Sequence, residues 1–289
     1  MPNDNDLLHR FIFDNTDIRG EIITLETSLG EIQKGKTYPA NIQPLLGEFM
    51  AAVALLSSTL KFDGLLTLQA RGDGPAPLIM AEADHNKRLR GIIKTNDDVP
   101  MKGDDLPSLI GKGVLSITID PDQGNRYQGI VPLDAPSLSD CLEHYFEQSE
   151  QLPTRIWLVS NGDTASGLLL QQLPQQTADE QTNRAAWENR VQLANTITAE
   201  ELLTLDHKHV LTRLFHEEGV RFYEPSEFAF GCSCSKQRSS RALQHLGKED
   251  AEQLLLEQGI ISVDCEFCGF QYTYDKQDLE SLFAPKTQH

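Results

Sequence analysis

At 289 residues the chain exceeds the roughly 150 residues of one average domain, and 39% hydrophobic residues are enough for a sizeable core. A formal net charge of -18 opposes non-specific nucleic-acid binding, which relies on Lys and Arg neutralising phosphates, and it keeps a protein dispersed. No run approaches the roughly 18 apolar residues of a membrane span, and the opening MPNDNDLLHRFIFD has acids where a signal peptide has bases; a cytoplasmic protein is expected, with neither membrane nor nucleic acid as partner.

Residues 1–175 read as one α+β domain. The stretch Gly20–Thr27 (GEIITLET) alternates like a strand, whereas Asn41–Thr59 is apolar nearly all round and predicts a deeply buried helix. Strand-like runs follow at Leu65–Ala70, Leu78–Glu82 and Arg90–Ile93, and RGDGPAP between the first two has hairpin chemistry. Its glycines lack the Lys and following helix of a phosphate loop, so a turn is expected, and Gly111-Lys112-Gly113 is likewise a loop. Further strands are predicted at Val114–Ile119 and Tyr127–Pro132, then an amphipathic helix over Ser137–Gln148. Cys141 falls in register with Leu138, Leu142 and Tyr145 on that helix and reads as a core thiol. Arg155–Val159 and Ser166–Leu170 form a last strand pair. Hairpin-like succession with few helices predicts helices packed on a mainly antiparallel sheet.

Composition changes at Gln171, where QQLPQQTADEQTN is polar and Gln-rich. Residues 176–226 are expected to form a metastable helical linker. Its short patterns, Ala185–Asn195, Ala199–Thr204 and His207–His216, carry narrow apolar stripes: Trp187, Val191 and Leu193; Leu202, Leu203 and Leu205; Val210, Leu211, Leu214 and Phe215. Helices this short depend on tertiary contacts, so they must dock or melt. His207 and His209 are two apart and face different ways on a helix, which predicts a solvated helix start rather than a metal-binding pair.

Four of the five cysteines lie in the remaining unit, residues 227–289, as Cys232-Ser-Cys234 and Cys265-Glu-Phe-Cys268. Helices are predicted at Lys236–Leu246 and Lys248–Gln258, stopped by Gly247 and Gly259. A hairpin, Ile260–Val263 with Phe270–Tyr274, surrounds the CEFCG turn, and Asp275 caps a last helix ending near Phe283. About sixty residues make a unit near zero net stability without a staple. Two close thiol pairs supply one: Cys232, Cys234, Cys265 and Cys268 are candidate ligands of a closed Zn(Cys)4 site for one Zn²⁺. The same spacing lets each pair close as a disulfide, so the cluster reads as metal site when reduced and disulfides when oxidised. A closed thiolate site leaves the metal no open position for hydrolysis. Two other readings compete. A thiol oxidoreductase would need a strong helix behind Cys-x-x-Cys, where the sequence has strand-like GFQYTY, and a nucleic-acid-binding zinc protein would need a basic stripe.

The segments EGVRFYEPSEFAFGCSCSKQR, LGKED and ISVDCEFCGFQYTY, with RGDGPAPLIMAEAD, GKGVLSITID, RYQGIVPL and YFEQSEQLPT upstream, closely resemble the redox-regulated heat-shock chaperone family of thirty-three kilodaltons. The likeness runs over almost the whole chain, with the cysteine pairs as its most specific element. It implies a non-enzymatic, ATP-independent holdase that is inactive while the four cysteines hold zinc. It further implies that oxidation joins Cys232 with Cys234 and Cys265 with Cys268, frees zinc and unfolds the C-terminal region and linker. The activated protein would dimerise and hold unfolding client proteins. Trp187, Val191, Leu203, Val210, Leu214 and Phe215 are the candidate client-binding residues.

Overall fold

The computed structural model describes residues 4–59, 63–96, 98–177 and 179–284, so the expected domain limits at residues 1 and 289 lie outside the described residues. The fold is α+β. The chain divides into two compact units, Met1–Gly231 and Cys232–His289.

In the first unit, strands β1 (Leu7–Phe13) and β2 (Ile18–Leu25) lead to helices α1 (Thr27–Gln33) and α2 (Gln43–Thr59). A meander follows, β3 (Gly64–Gly72), β4 (Leu78–Asp84) and β5 (Arg88–Lys94), then helix α3 (Leu106–Ile110) and strands β6 (Gly113–Pro121) and β7 (Tyr127–Pro132). Helix α4 (Leu138–Tyr145) runs into a π-helical turn, Phe146–Glu150, before the pair β8 (Thr154–Ser160) and β9 (Ala165–Gln172). Helices α5 (Glu180–Ala194), α6 (Ala199–Thr204) and α7 (His207–Phe215) precede three very short strands, β10 (Val220–Phe222), β11 (Ser226–Glu227) and β12 (Ala229–Phe230).

The strands form two six-stranded sheets, where the hairpin succession predicts a single one. The first is ordered β10-β1-β2-β9-β8 with β11 also on β1, the second β12-β5-β4-β3-β6-β7. Every pairing is antiparallel except β12 with β5. RGDGPAP joins β3 and β4, whose pairing runs to Arg71 and Leu78, as its turn chemistry predicts. Helix α2 lies between the sheets, touching β2, β8 and β9 on one side and β3, β4 and β5 on the other. That is why it is apolar all round. Glycines permit the close approach on both sides: a Cβ on Gly167 would stand 2.8 Å from Leu55, and one on Gly91 2.6 Å from Met50. Cys141 is buried with Leu138, Leu142 and Tyr145, as predicted.

The outer face of the first sheet is covered as well. Phe11, Phe13, Ile18, Ile22, Leu168 and Leu170 meet Ala194, Leu202, Val210, Leu211, Leu214 and Phe215 of α5–α7 in a second core. This corrects the half-buried alternation read into GEIITLET, because β2 has apolar cover on both faces and is buried at seven of its eight positions. Each of α5, α6 and α7 starts on a side-chain cap: Asp179 accepts from the Thr182 N–H, Thr198 from Glu201 and Asp206 from His209. The polar boundary segment is pinned by Asp17, which accepts from the N–H groups of Gln176 and Thr177 and from Asn183 Nδ2. Those bonds, the Gln176 N–H foremost, hold the Asp17 carboxyl well below the usual carboxylate range. Arg190 stacks 4.7 Å from the Phe13 ring centroid and pairs with Glu218.

His207 is not a solvated helix start. It is 1% exposed, with Nε2 3.0 Å from Thr24 Oγ1 and Nδ1 2.8 Å from His9 Nδ1. Its backbone N–H donates to Asp4 Oδ2 at 2.7 Å. Burial pushes its pKa down to about 4, leaving the ring neutral at pH 7. The first turn of α7 lies against β1 and β2, so of the two histidines that face different ways it is His209 that meets water.

The second unit contains α8 (Lys236–Leu246), α9 (Lys248–Gln258), the hairpin β13 (Ile261–Asp264) and β14 (Gln271–Tyr274), and α10 (Lys276–Leu282). Both strands begin one residue later than predicted, leaving Ile260 and Phe270 exposed. Among the described residues its core has five buried members, Leu243, Ala251, Ile261, Tyr274 and Leu279, and Leu256 is 87% exposed.

Candidate metal centre

Two loops of the second unit bring the four thiols together. Cys232 and Cys234 sit in the extended run ahead of α8, whose cap Ser235 accepts from the Arg238 N–H. The Arg238 guanidinium turns back to donate to the carbonyl of Ser233 at 3.0 Å and to its hydroxyl at 2.6 Å, fixing the residue between the two cysteines. Cys265 and Cys268 occupy the β13–β14 turn. There the Cys265 N–H donates to the Phe270 carbonyl and the Gly269 N–H to the Cys265 carbonyl. Gly269 takes φ +70°, which glycine adopts without steric cost.

All four Sγ atoms lie within 4.8 Å of one another. The close approaches run across the pairs, Cys232 to Cys265 at 3.6 Å and Cys234 to Cys268 at 3.5 Å. A tetrahedron with metal–sulfur bonds of about 2.3 Å has edges of about 3.8 Å. The four cysteines are therefore close enough to bind one metal ion. Their donors are all soft sulfur, the kind that selects zinc and similar ions over magnesium or calcium. Burial, then the neighbouring thiols, pushes the Cys268 pKa up to about 12. Thiols so crowded cannot all ionise unless a cation is at hand, and a bound divalent ion reverses that preference. The residues fit the group.

Tyr272 is a site residue that sequence spacing does not single out. Its hydroxyl donates to Cys234 Sγ at 3.1 Å, and that bond is the main reason its own pKa is raised. The available signal is its place on the strand that leaves the Cys265–Cys268 turn. Tyr274, two residues on, donates to the Lys236 carbonyl at 2.7 Å, and Lys236 pairs with Asp278 at 2.7 Å. These contacts tie the start of α8 to β14 and α10.

The candidate client-binding residues lie in the first unit and separate by burial. Val210, Leu214 and Phe215 are buried in the second core and Trp187 packs at its edge, with Phe215 edge-on to Phe13 at 5.0 Å between centroids. Val191 and Leu203 are half-buried, and Leu202 takes the inward place on α6. Among the described residues no helix is long and apolar enough to cross a membrane.

A family model described as "Hsp33 protein" matches residues 6–275. A 33 kDa chaperonin of Azotobacter vinelandii is 50% identical over 284 residues, 98% of this chain and 96% of the relative. One of Pseudomonas aeruginosa is 49% identical over 282 residues, 97% and 95% of the two chains. In fold, the chain is similar to the crystal structure of the 33 kDa chaperonin from Thermotoga maritima. The TM-score is 0.80 at 23% identity, covering 96% of this chain and 97% of that one.

Proposed function

This chain belongs to the Hsp33 family of heat-shock chaperones, and from that premise we propose that it is a redox-regulated holdase, working without ATP in the cytoplasm. In the reduced state Cys232, Cys234, Cys265 and Cys268 hold one Zn²⁺, which supplies a structural clamp. The observation that carries the reading is the four-sulfur cluster in a unit with only five buried apolar residues among those described. Structural zinc contributes about 10–16 kcal/mol of apparent binding free energy, against the roughly 5–15 kcal/mol that stabilises a whole domain. The second unit depends on its thiolates.

Peroxide accepts two electrons from each pair of thiolates and two protons from solvent, leaving as two waters while a sulfur–sulfur bond forms; hypochlorous acid accepts the same two electrons with one proton and leaves as chloride and water. We assign the pairs as Cys232 with Cys234 and Cys265 with Cys268. Their loops are so small that each disulfide restores only about 1.5–2 kcal/mol, so the oxidised unit unfolds. The shortest sulfur approaches favour a second reading. Cross-pairs would close loops spanning 33 and 34 positions, brace the unit by about 3–4 kcal/mol each and make oxidation a lock.

Residues 1–175 then form the chaperone and dimerisation domain, 176–226 the linker and 227–289 the switch. The linker ends in residues 220–226, and the first residues of the switch, 227–231, lead from there to Cys232. Its release uncovers Val210, Leu214 and Phe215, with Trp187, Val191 and Leu203 beside them, and also the sheet face of Phe11, Phe13, Ile22 and Leu168. Contiguous apolar surface of this kind binds unfolding chains, and the activated protein pairs as a homodimer. It acts by binding, with neither nucleic acid nor membrane as partner. Strand β14 behind Cys268, in place of a helix, weighs against a thiol oxidoreductase, and the acidic balance against a nucleic-acid-binding zinc protein.

The test measures zinc, free thiols, disulfide connectivity and suppression of client aggregation on the same samples before and after peroxide. The expected result is one cysteine-bound zinc and no suppression before, then loss of that zinc, four fewer thiols, adjacent pairing and suppression after. Zinc still bound to the cysteine cluster of an oxidised, active sample would sink the switch. Cross-pairing with intact C-terminal helices would establish the lock instead, and insulin reduction would point to an oxidoreductase.

A further inference from the structure

In the first unit, Asp4, His9 and His207 bring one carboxylate and two imidazole donor atoms within 4.8 Å of one another. His9 stands on β1, His207 opens α7 and Asp4 precedes β1. We propose that these three residues form a second metal site, for a divalent transition ion of the zinc class, which fastens α7 to the first sheet.

Hydrogen-bond direction decides which atoms are free to ligate. Ser166 Oγ donates to the Ile23 carbonyl at 2.7 Å, since a carbonyl only accepts. Its proton is thereby used, so Thr24 Oγ1, 3.1 Å away, donates to Ser166. The Thr24 proton is then used too, and His207 Nε2, 3.0 Å away, must donate to Thr24. A neutral His207 therefore carries its proton on Nε2 and turns the bare lone pair of Nδ1 toward His9 and Asp4. Metal-binding histidines are held in this way, the second ring nitrogen donating to a fixed acceptor that sets tautomer and orientation. Without metal, His9 Nδ1–H donates to His207 Nδ1 across 2.8 Å. With metal, His9 carries its proton on Nε2 and both Nδ1 atoms ligate.

The fit needs a small opening. Two nitrogens on one tetrahedral zinc stand about 3.3 Å apart at bond lengths of about 2.0–2.1 Å, and the half-buried His9 has room to retreat. Asp4 Oδ2, 4.0 Å from His207 Nδ1, already accepts the His207 backbone N–H and keeps a second lone pair. A cavity of about 430 Å³ lined by Asp4, His9, Asp206 and Glu224 adjoins the cluster. It provides room for water as remaining ligand, and its carboxylates outnumber its one cation, Lys208.

The test is zinc binding by the full-length chain, kept reduced with a phosphine, followed by equilibrium dialysis and metal analysis. The parent is expected to hold one more zinc per chain than His9→Gln, whatever the load on the cysteines. Asp4→Asn should lose the same ion, which keeps the test decisive if His9→Gln fails to fold. Thr24→Val, removing the acceptor of His207, should weaken the extra ion about 10–100-fold. Hydrogen exchange across His207–Phe215 should slow when it binds. Equal zinc in parent and Asp4→Asn would overturn the proposal, as would loss of the ion on substituting the exposed His209 by Ala, which would mark a surface Asp206–His209 pair as its holder.

Discussion

Glu21 lies on β2 opposite Arg10 and is 1% exposed, with Oε2 buried and unbonded. In GEIITLET strand alternation sets it on the face of Ile23 and Leu25, which both enter the main core. Its burial is thus written in the period of the strand, and what the sequence leaves out is any partner for its carboxyl. It borders a cavity of about 410 Å³ that Arg10, Arg19 and Lys87 also line. Desolvation outweighs those cations and raises its pKa to about 8. An unfolded Glu titrates near 4.3, so between about pH 4.3 and 8 the native state holds a proton that the unfolded state has released. Stability must fall as pH rises through that window, by at most about 1.4 kcal/mol per pH unit. Glu21→Gln keeps the shape and removes the titration. Urea unfolding of both proteins from pH 5 to 8 is expected to show the variant gaining on the parent as pH rises. A difference independent of pH would refute the assignment.

Among the elements, α5–α7 were legible as helices and illegible as to what they cover. Thr198 and Asp206 announce two of the starts, each a capping residue directly ahead of the predicted helix, whereas α5 begins behind Asp179 at Glu180, five residues before the predicted Ala185, because its polar first turn carries no apolar spacing. Stripes as short as these fix a face only to within a residue, which is why Leu203 looks as suitable as Leu202. Strand β1 and the two- and three-residue strands β10–β12 escaped notice for a related reason: β1 is apolar on both faces, and a two-residue strand has no period. Yet these small pieces tie the chain that follows α7 to β1 of one sheet and β5 of the other. The linker should open when an inward side chain is cut back. Leu214→Ala removes a side chain 2% exposed and is expected to cost about 2–5 kcal/mol. Hydrogen exchange should quicken across Glu180–Phe215, and aggregation suppression should appear at a lower peroxide dose than in the parent. Leu256→Ala, at an 87% exposed position, is the matched control and should change neither. A Leu214→Ala protein that is destabilised yet needs the same dose would separate the linker from activation.

For the whole molecule, the α+β class, most strands of the first unit and the sulfur cluster follow from sequence, because hairpin turns, buried-helix composition and cysteine spacing are local signals. The division of strands between two sheets with α2 enclosed was not legible, since any one strand fits either sheet. Among the described residues, that enclosure gives the first unit a core of more than forty buried residues around α2, against five in the second. The two units therefore differ in what they need to stay folded. Hydrophobic burial scales with the area removed from water, so the first is self-sufficient, whereas the second lies in the size range where a metal decides the outcome. Chelation under reducing conditions, with no disulfide formed, isolates this difference. The expected result is loss of protection in α8, α9 and α10, of 11, 11 and 7 residues, with a matching fall in helical dichroism. Amides of α2 should stay protected throughout, and returning one equivalent of zinc should restore the lost signal. If a chelator leaves α8–α10 protected, the sulfur cluster is not what holds the second unit together. If α2 melts as well, the units share one cooperative transition, and a switch confined to the cysteines would have to act on the whole chain at once.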